Sequence, residues 1–353
     1  MNIKRLELTH LRAFEHAEFD FTPGLNLLVG VNGVGKTTVL DALRICLSRI
    51  LPRITASQSR PDSFEAEDTR GARPSLTAKL SFVIGKQEFQ YICHQVRENV
   101  VAANAETIAP RMRDLLDQRR KPQGKLRKKL RELQESSTAP DLDTFSPDLG
   151  VLQAAAKSSK EHPIGIYFST RRSLVSDAAP SVGKTLGGQA VAFAEALNSR
   201  ELRLAELANW IYAQEALASE HLPAKRHLAA LRRAATEFLP DCKNLRAEVS
   251  PKPRILIDKK RVTLDVRQLS DGERGLLAIV LDLARRLSQA NPGLSDAVKH
   301  GQAIVMIDEL DLHLHPKWQR TIVEQLAGTF PHCQFIATTH SPQIVAAVEP
   351  EHV

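Results

Sequence analysis

This 353-residue sequence predicts an α/β fold built on a parallel sheet covered on both faces, and three stretches carry the prediction. The first is Gly30-Val31-Asn32-Gly33-Val34-Gly35-Lys36-Thr37, which fits the pattern G-x-x-x-x-G-K-[ST] at every specified position. Before it lies the apolar run Leu25–Val29, a buried-strand pattern, and after it Val39, Leu40, Leu43 and Leu47 recur at helical spacing. The second is the regular alternation of the last third: helix 273–289, strand 303–307, helix 316–328, strand 334–338 and a new helix from Ser341. The third is Ala303–Ile307, continuously apolar as a strand of a covered parallel sheet should be, and ending in Asp308-Glu309.

Taken in order, residues 3–8 and 17–21 read as strands, the second alternating through Ala17, Phe19 and Phe21. Pro23-Gly24 turns the chain into the strand before the glycine-rich loop. Residues 52–74 are rich in Pro, Ser, Arg and Asp and read as a loop. Residues 76–84 and 88–96 form a hairpin about Gly85-Lys86-Gln87. A helical pattern over 111–135 is interrupted at Pro122-Gln123-Gly124, and 136–160 shows little pattern. Ile164–Phe168 is a short strand running into Thr170-Arg171-Arg172. Helical periodicity occupies 190–240 and breaks at Pro223, and 254–258 with 261–266 make a second hairpin turned at Lys259-Lys260. The expected division is an N-terminal lobe (1–110) with an antiparallel β subdomain, a basic and helical insertion (111–250) enclosing the 164–168 strand, and a C-terminal lobe (251–353).

Composition narrows the function classes. Aromatic residues make up 5% of the chain, so its core must be aliphatic. Cys46, Cys93, Cys242 and Cys333 lie far apart without a C-x-x-C pair, which suits neither a zinc site nor a disulfide framework. No apolar run has the length of a membrane span and the N-terminus lacks a signal-peptide pattern, so a cytoplasmic protein with no membrane partner is expected. Of the net charge of +7, a surplus of six sits in 111–135, where ten basic residues face four acidic ones. Such a run is either a solvated helix face or a strip for nucleic-acid phosphates. It holds no aromatic residue, so any such binding should be blind to sequence.

The chemistry of the loop follows from its glycines. They let backbone N–H groups curl round the phosphates of a nucleotide, and the helix N-terminus adds partial positive charge. Lys36 would reach the β- and γ-phosphates and the Thr37 hydroxyl would hold Mg²⁺, with Asn32, Gly33, Val34, Gly35 and Thr38 completing the cradle. A chance glycine turn ahead of a helix is the competing reading, and the flanking strand and helix weigh against it. Asp308 is expected beside Thr37 on Mg²⁺, and Glu309 to polarise the water that attacks the γ-phosphate. Leu269-Ser270-Asp271-Gly272-Glu273 opens the helix of Leu276, Val280, Leu283 and Leu287; Ser270 and Glu273 make a capping box, which does not require Gly272. A glycine at that start leaves N–H groups open to an anion.

The stretch 269–273 resembles the signature motif of ABC-type ATPases, and the order of loop, signature, acidic strand and His340 is similar to theirs. The resemblance implies an ABC-type head in which the signature of one subunit (Ser270, Gly272) caps an ATP γ-phosphate held by the loop of another. Asp311 would be the D-loop residue and His340 the switch histidine. More than two hundred residues separate Thr37 from Leu269, unlike the transporter branch, and Leu8-Thr9-His10-Leu11-Arg12-Ala13-Phe14 resembles the opening of the RecF, SMC and OLD ATPases. Arg12 is by that likeness a further nucleotide contact. The run Asp308-Glu309-Leu310-Asp311-Leu312-His313-Leu314-His315-Pro316 with Trp318-Gln319 is similar to OLD-type and AAA-21-type ATPases of bacterial defence, PtuA of the Septu and retron systems among them.

That likeness implies ATP and Mg²⁺ as cofactors, a homodimer or higher homo-oligomer of ATP-sandwiched heads, and an HNH-type nuclease partner such as PtuB, with a reverse transcriptase and its RNA–DNA in a retron setting. It covers 1–50 and 250–345 and departs in one respect, because no Q-loop glutamine follows the 164–168 strand and Thr170, Arg171 or Arg172 stands in its place. OLD nucleases carry a metal-binding TOPRIM domain after the switch histidine. Thirteen residues follow His340 here, so the sequence is expected either to be a piece of a longer chain or to leave the nuclease to a separate protein. Gly183-Lys184-Thr185 imitates the end of a phosphate loop but has no strand before it and reads as a loop, and the alternating His313 and His315 do not converge as metal ligands would. Three functions compete: a defence ATPase governing a nuclease, a DNA-repair or DNA-clamping ATPase, and a slow or non-hydrolysing ATP-sensing scaffold.

Overall fold

A computed structural model describes residues 1–96, 142–159, 162–173, 188–199, 201 and 203–352. The basic segment 111–135 and the Gly183-Lys184-Thr185 stretch lie outside the described residues.

The chain begins with β1 (Asn2–Leu11) and β2 (Phe14–Asp20), enters the central sheet as β3 (Leu25–Val29), and continues as α1 (Lys36–Ile54). The hairpin β4 (Ser75–Ile84) and β5 (Gln87–Val96) follows, then β6 (Leu142–Ser146), α2 (Leu149–Ser159) and β7 (Ile164–Phe168). Next come α3 (Gln189–Phe193), α4 (Leu204–Leu217) and α5 (Leu222–Phe238), and the strands β8 (Cys242–Glu248), β9 (Arg254–Lys259) and β10 (Val262–Asp265). The last third runs α6 (Asp271–Ala290), α7 (Ala297–His300), β11 (Ala303–Ile307), α8 (Pro316–Gln319), α9 (Ile322–Thr329), β12 (Cys333–Thr339) and α10 (Pro342–Val345).

Three sheets result. The central one is parallel, in the order β3-β12-β11-β7, and takes its strands from all three sequence regions. Every residue of β7, β11 and β12 is buried, so both faces of these strands are covered, with Gln334, Thr338 and Thr339 as the polar residues of β12. The faces still differ in what they meet. Ile304, Met306, Ile336 and Tyr167 pack with α1 and the antiparallel sheet β2-β1-β4-β5-β6, whereas Val305, Ile307, Phe335, Ala337 and Phe168 pack with α4, α5, α6 and the small sheet β10-β9-β8. Gln334, fully buried on β12, joins the central and antiparallel sheets: its amide donates to Ile3 O and Thr22 O and accepts from Ile3 N–H.

Several local expectations shift. Residues 142–159 form β6 and α2, because Asp143 on β6 accepts from buried Arg49 of α1 and from Tyr91 of β5, partners that no local pattern reveals. The helical stretch breaks before Pro223 as read, between α4 and α5, and Pro223 takes the first turn of α5, which has no use for the N–H that proline lacks. Helix 316–328 is two helices, divided at Arg320-Thr321. The second hairpin turns one residue later than read, at Lys260-Arg261, whose φ values of 49° and 73° lie in the left-handed region of a tight hairpin turn. Strand β8 joins that hairpin as a third strand. Among the described residues no helix is long and apolar enough to cross a membrane.

Candidate functional site

The parallel strands deliver their carboxyl ends to one side of the sheet, where ligands bind in open α/β folds. The loop 30–37 leaves β3 there. Gly33 and Gly35 take φ of 83° and 105°, which an L side chain rarely adopts. At Gly35 the need is doubled, because a Cβ would lie 2.6 Å from the Phe14 ring. Lys36 folds back over the loop, its Nζ donating to Gly30 O at 2.8 Å and Val31 O at 3.0 Å. Asn32, Gly33, Gly35, Lys36, Thr37 and Thr38 line a cleft whose opposite wall is Asp308, Glu309, Thr338 and His340. Val34 lies outside that lining, in a neighbouring hollow with Phe14, Phe19 and Lys36.

The acidic turn after β11 is held from several sides. The Thr338 hydroxyl on β12 donates to Asp308 Oδ1 at 2.7 Å and accepts the Glu309 N–H at 2.7 Å. Thr37 Oγ1 donates to the other oxygen, Asp308 Oδ2, at 3.5 Å. Glu309 itself has φ of 51°, an uncommon conformation for a residue with a side chain. Asp311 turns back to the strand end, its Oδ1 accepting from Thr339 Oγ1 at 2.6 Å and the His340 N–H at 3.1 Å. Two hard oxygens, Thr37 Oγ1 and Asp308 Oδ2, so near each other beside the lysine form a donor set suited to Mg²⁺ in company with substrate phosphates.

Ser270 caps α6 as expected, its Oγ accepting the Glu273 N–H while the Glu273 carboxylate accepts from Ser270. Lys259 Nζ also reaches Glu273 at 2.5 Å. Burial works against the Glu273 charge, yet Lys259 and Ser270 together draw its pKa below the ordinary value. Gly272 has a packing reason the sequence hid: a Cβ there would stand 2.7 Å from His313 O, so the 311–315 turn lies directly on the first turn of α6. Neither Ser270 nor Gly272 belongs to the lining of the loop cleft in the same chain. His315, beside that turn, caps α8 by accepting the Lys317 N–H.

Arg12 stands apart from the cleft lining. Its Nε donates to Asp68 at 2.8 Å and its Nη1 to Asp41 at 2.7 Å, so its fork braces the flank of α1. Sequence reasoning missed Thr338 and left Arg172 as one of three candidates for the missing glutamine. Arg172 is buried in the turn after β7 and donates to Ser169 O, Asp308 O and Glu309 O. Burial pulls its pKa down to about 10 against the opposing pull of Asp308, Glu309 and Asp311. The arginine after a short buried strand was visible; that its fork closes on a turn more than a hundred residues away was not.

Comparison with known proteins fixes the family. The family described as "AAA domain, putative AbiEii toxin, Type IV TA system" matches residues 25–346. The chain belongs to this AAA_21 family. "Retron Ec83 probable ATPase" of Escherichia coli is 27% identical over 395 residues, covering 100% of this chain and 71% of its own length. "Septu protein PtuA" of Bacillus thuringiensis is 23% identical over 354 residues, covering 98% and 73%. A local match to "Retron Vc95 probable ATPase" of Vibrio cholerae serotype O1 biovar El Tor reaches 40% identity over 128 residues, 36% of this chain and 25% of that protein. An SMC head solved in complex with the C-winged helix domain of ScpA superposes with a TM-score of 0.55 at 13% identity, covering 99% of this chain and 92% of that one. This AAA_21 chain therefore has the fold of an ABC-type ATPase head.

Proposed function

We propose that this protein is a slow, Mg²⁺-dependent ATPase whose heads associate on ATP and thereby control a partner nuclease in antiviral defence. One observation carries the ATPase reading: Lys36, Thr37, Asp308, Glu309 and His340, spread over three strand ends, line a single cleft. Thr37 and Asp308 would hold the metal, which when bound supplies positive charge to the β- and γ-phosphate oxygens. The loop amides and Lys36 bind and orient the triphosphate. Glu309 accepts a proton from the water that attacks the γ-phosphorus, the bond to the bridging oxygen breaks, and ADP and phosphate leave. His340 donates a hydrogen bond to the γ-phosphate, its loop fixed by Asp311.

The signature residues Ser270 and Gly272 are not part of this cleft, which supports a composite site completed by the signature of a second copy. The packing of the 311–315 turn on Gly272 ties the D-loop to that signature, so both would reach the partner's nucleotide as one body. The relatives named for retron and Septu systems support the defence setting and, with it, a nuclease of the HNH type as partner. Glu309→Gln mixed with ATP and Mg²⁺ should form a stable dimer on size exclusion with light scattering. A variant that remains monomeric while binding ATP would rule out the sandwich. Purification from the native host should bring the nuclease along; a lone protein that binds DNA tightly would favour the repair reading.

A further inference from the structure

The acidic turn has an odd feature for a catalytic element: its key residue, Glu309, sits in the left-handed region at φ 51°, which a residue with a side chain rarely adopts. Such a conformation persists only where the surroundings over-determine it. Above, Thr338 fixes the Glu309 N–H and the Asp308 carboxylate. Below, one side chain collects the carbonyls. Arg172 Nη1 donates to Ser169 O at 3.1 Å and to Asp308 O, and its Nη2 donates to Glu309 O. Asp308 follows the last ladder pair of β11 and its carbonyl takes a donor from Arg172, while Ser169 O also accepts the Arg172 backbone N–H at 3.1 Å and Glu309 O the Leu312 N–H at 2.9 Å.

We infer that Arg172 is a positioning residue that sets the backbone of Asp308-Glu309 from the side away from the nucleotide, and so governs the rate of hydrolysis rather than the affinity for ATP. Several observations separate this role from that of a metal or phosphate contact. Arg172 is 6% exposed and lines a hollow with Glu201, Arg203, Glu206, Asp282 and Arg285, not the nucleotide cleft. Its three side-chain hydrogen bonds all go to backbone oxygens, and a planar fork can reach carbonyls on two strands at once. A lysine there would keep the charge and lose the geometry. The turn that carries Arg172, Thr170–Ser173, also packs against α6, so the acidic turn and the signature helix share this one brace.

The inference rests on the reading of Glu309 as the hydrolytic base, and the test keeps the two apart. Single-turnover hydrolysis and Mg²⁺-dependent binding of a fluorescent ATP analogue are measured for the full chain, Arg172→Lys, Glu309→Gln and the double variant. Arg172→Lys should lower the hydrolysis rate about 10- to 100-fold, as expected for a misplaced catalytic group, with the dissociation constant changed by at most about twofold. In the Glu309→Gln background, Arg172→Lys should change the residual rate by less than about twofold, because the arginine acts through that glutamate. Affinity lost in parallel with rate, or rate losses that multiply in the double variant, would overturn the role of Arg172. An unchanged rate in Glu309→Gln alone would instead overturn the assignment of the base. Arg172→Met is the second variant, filling the same space without charge; if neither it nor the lysine variant folds, Arg172 serves the fold and the inference fails.

Discussion

Thr338→Val isolates one oxygen atom in the heart of the site. Threonine and valine have nearly the same shape, and position 338 is 1% exposed, so the substitution removes a hydroxyl without opening a cavity. That hydroxyl donates to Asp308 Oδ1 and accepts from the Glu309 N–H, both at 2.7 Å. A hydrogen bond to a charged carboxylate contributes about 1.5–3 kcal/mol, and a buried N–H left without a partner costs about 1–3 kcal/mol. The extra buried methyl returns about 1 kcal/mol. The net loss is then about 2–5 kcal/mol. Unfolding entropy grows with length, so for a chain of this size each kcal/mol lowers the melting temperature by about 1–2 °C, and calorimetry without nucleotide should record a drop of about 3–7 °C. Thr338→Ser keeps the oxygen and should lose only about a third of that, through the missing methyl. If Thr338→Val melts within about 1 °C of the parent, the hydroxyl does not bridge the two acidic residues and the account of the turn is wrong.

Other perturbations probe the neighbouring elements. Gly35→Ala forces a Cβ to within 2.6 Å of Phe14 at a φ of 105°, and should abolish ATP binding in a filter assay, with Phe14→Ala unable to restore it because the backbone strain remains. Gly272→Ala meets His313 O at 2.7 Å and should weaken ATP-driven dimerisation at least about tenfold while leaving monomer affinity for ATP within about twofold. The pKa of Glu273 is lowered in the folded chain, so its stabilising effect is full above its ordinary value of 4.5 and is lost as pH falls through the lower folded value. Urea titrations from neutral pH downward should therefore show the parent losing stability over that acid range more steeply than Glu273→Gln. Arg286→Leu strips a 1% exposed guanidinium from Asp282 and from the carbonyls of Ala192 and Ala194, and should cost about 3–5 kcal/mol in denaturant unfolding.

Much of this molecule was legible in order along the chain. The glycine loop, the apolar strands at Leu25–Val29 and Ala303–Ile307 and the capping box at Ser270 are local arrangements, set by residues a few positions apart. Local patterns also misled. Periodicity assigned α6 one apolar face, yet residues 276–290 are all buried, Asp282, Arg285 and Arg286 included, because those charges pair with one another, with Glu206 and with backbone carbonyls. The same blindness hid β6 and α2, whose place depends on Arg49 and Tyr91 meeting Asp143.

Backbone conformation, side-chain capping and apolar runs depend on near neighbours, so the sequence by itself determined that there is a glycine-rich loop between a strand and a helix, an acidic strand end and a capped helix start. Which of these share a cleft depends on strand order. The order β3-β12-β11-β7 inserts β12 between the loop strand and the acidic strand, and so brings Thr338 and His340 between Lys36 and Glu309. Tertiary structure alone decided that Gly272 answers to the carbonyl of His313, that Arg12 braces α1 against Asp41 and Asp68, and that Arg172 closes on the carbonyls of Ser169, Asp308 and Glu309. Each is a contact between segments far apart in the chain, where the partner of a buried polar group is chosen by packing in three dimensions and leaves no periodic trace.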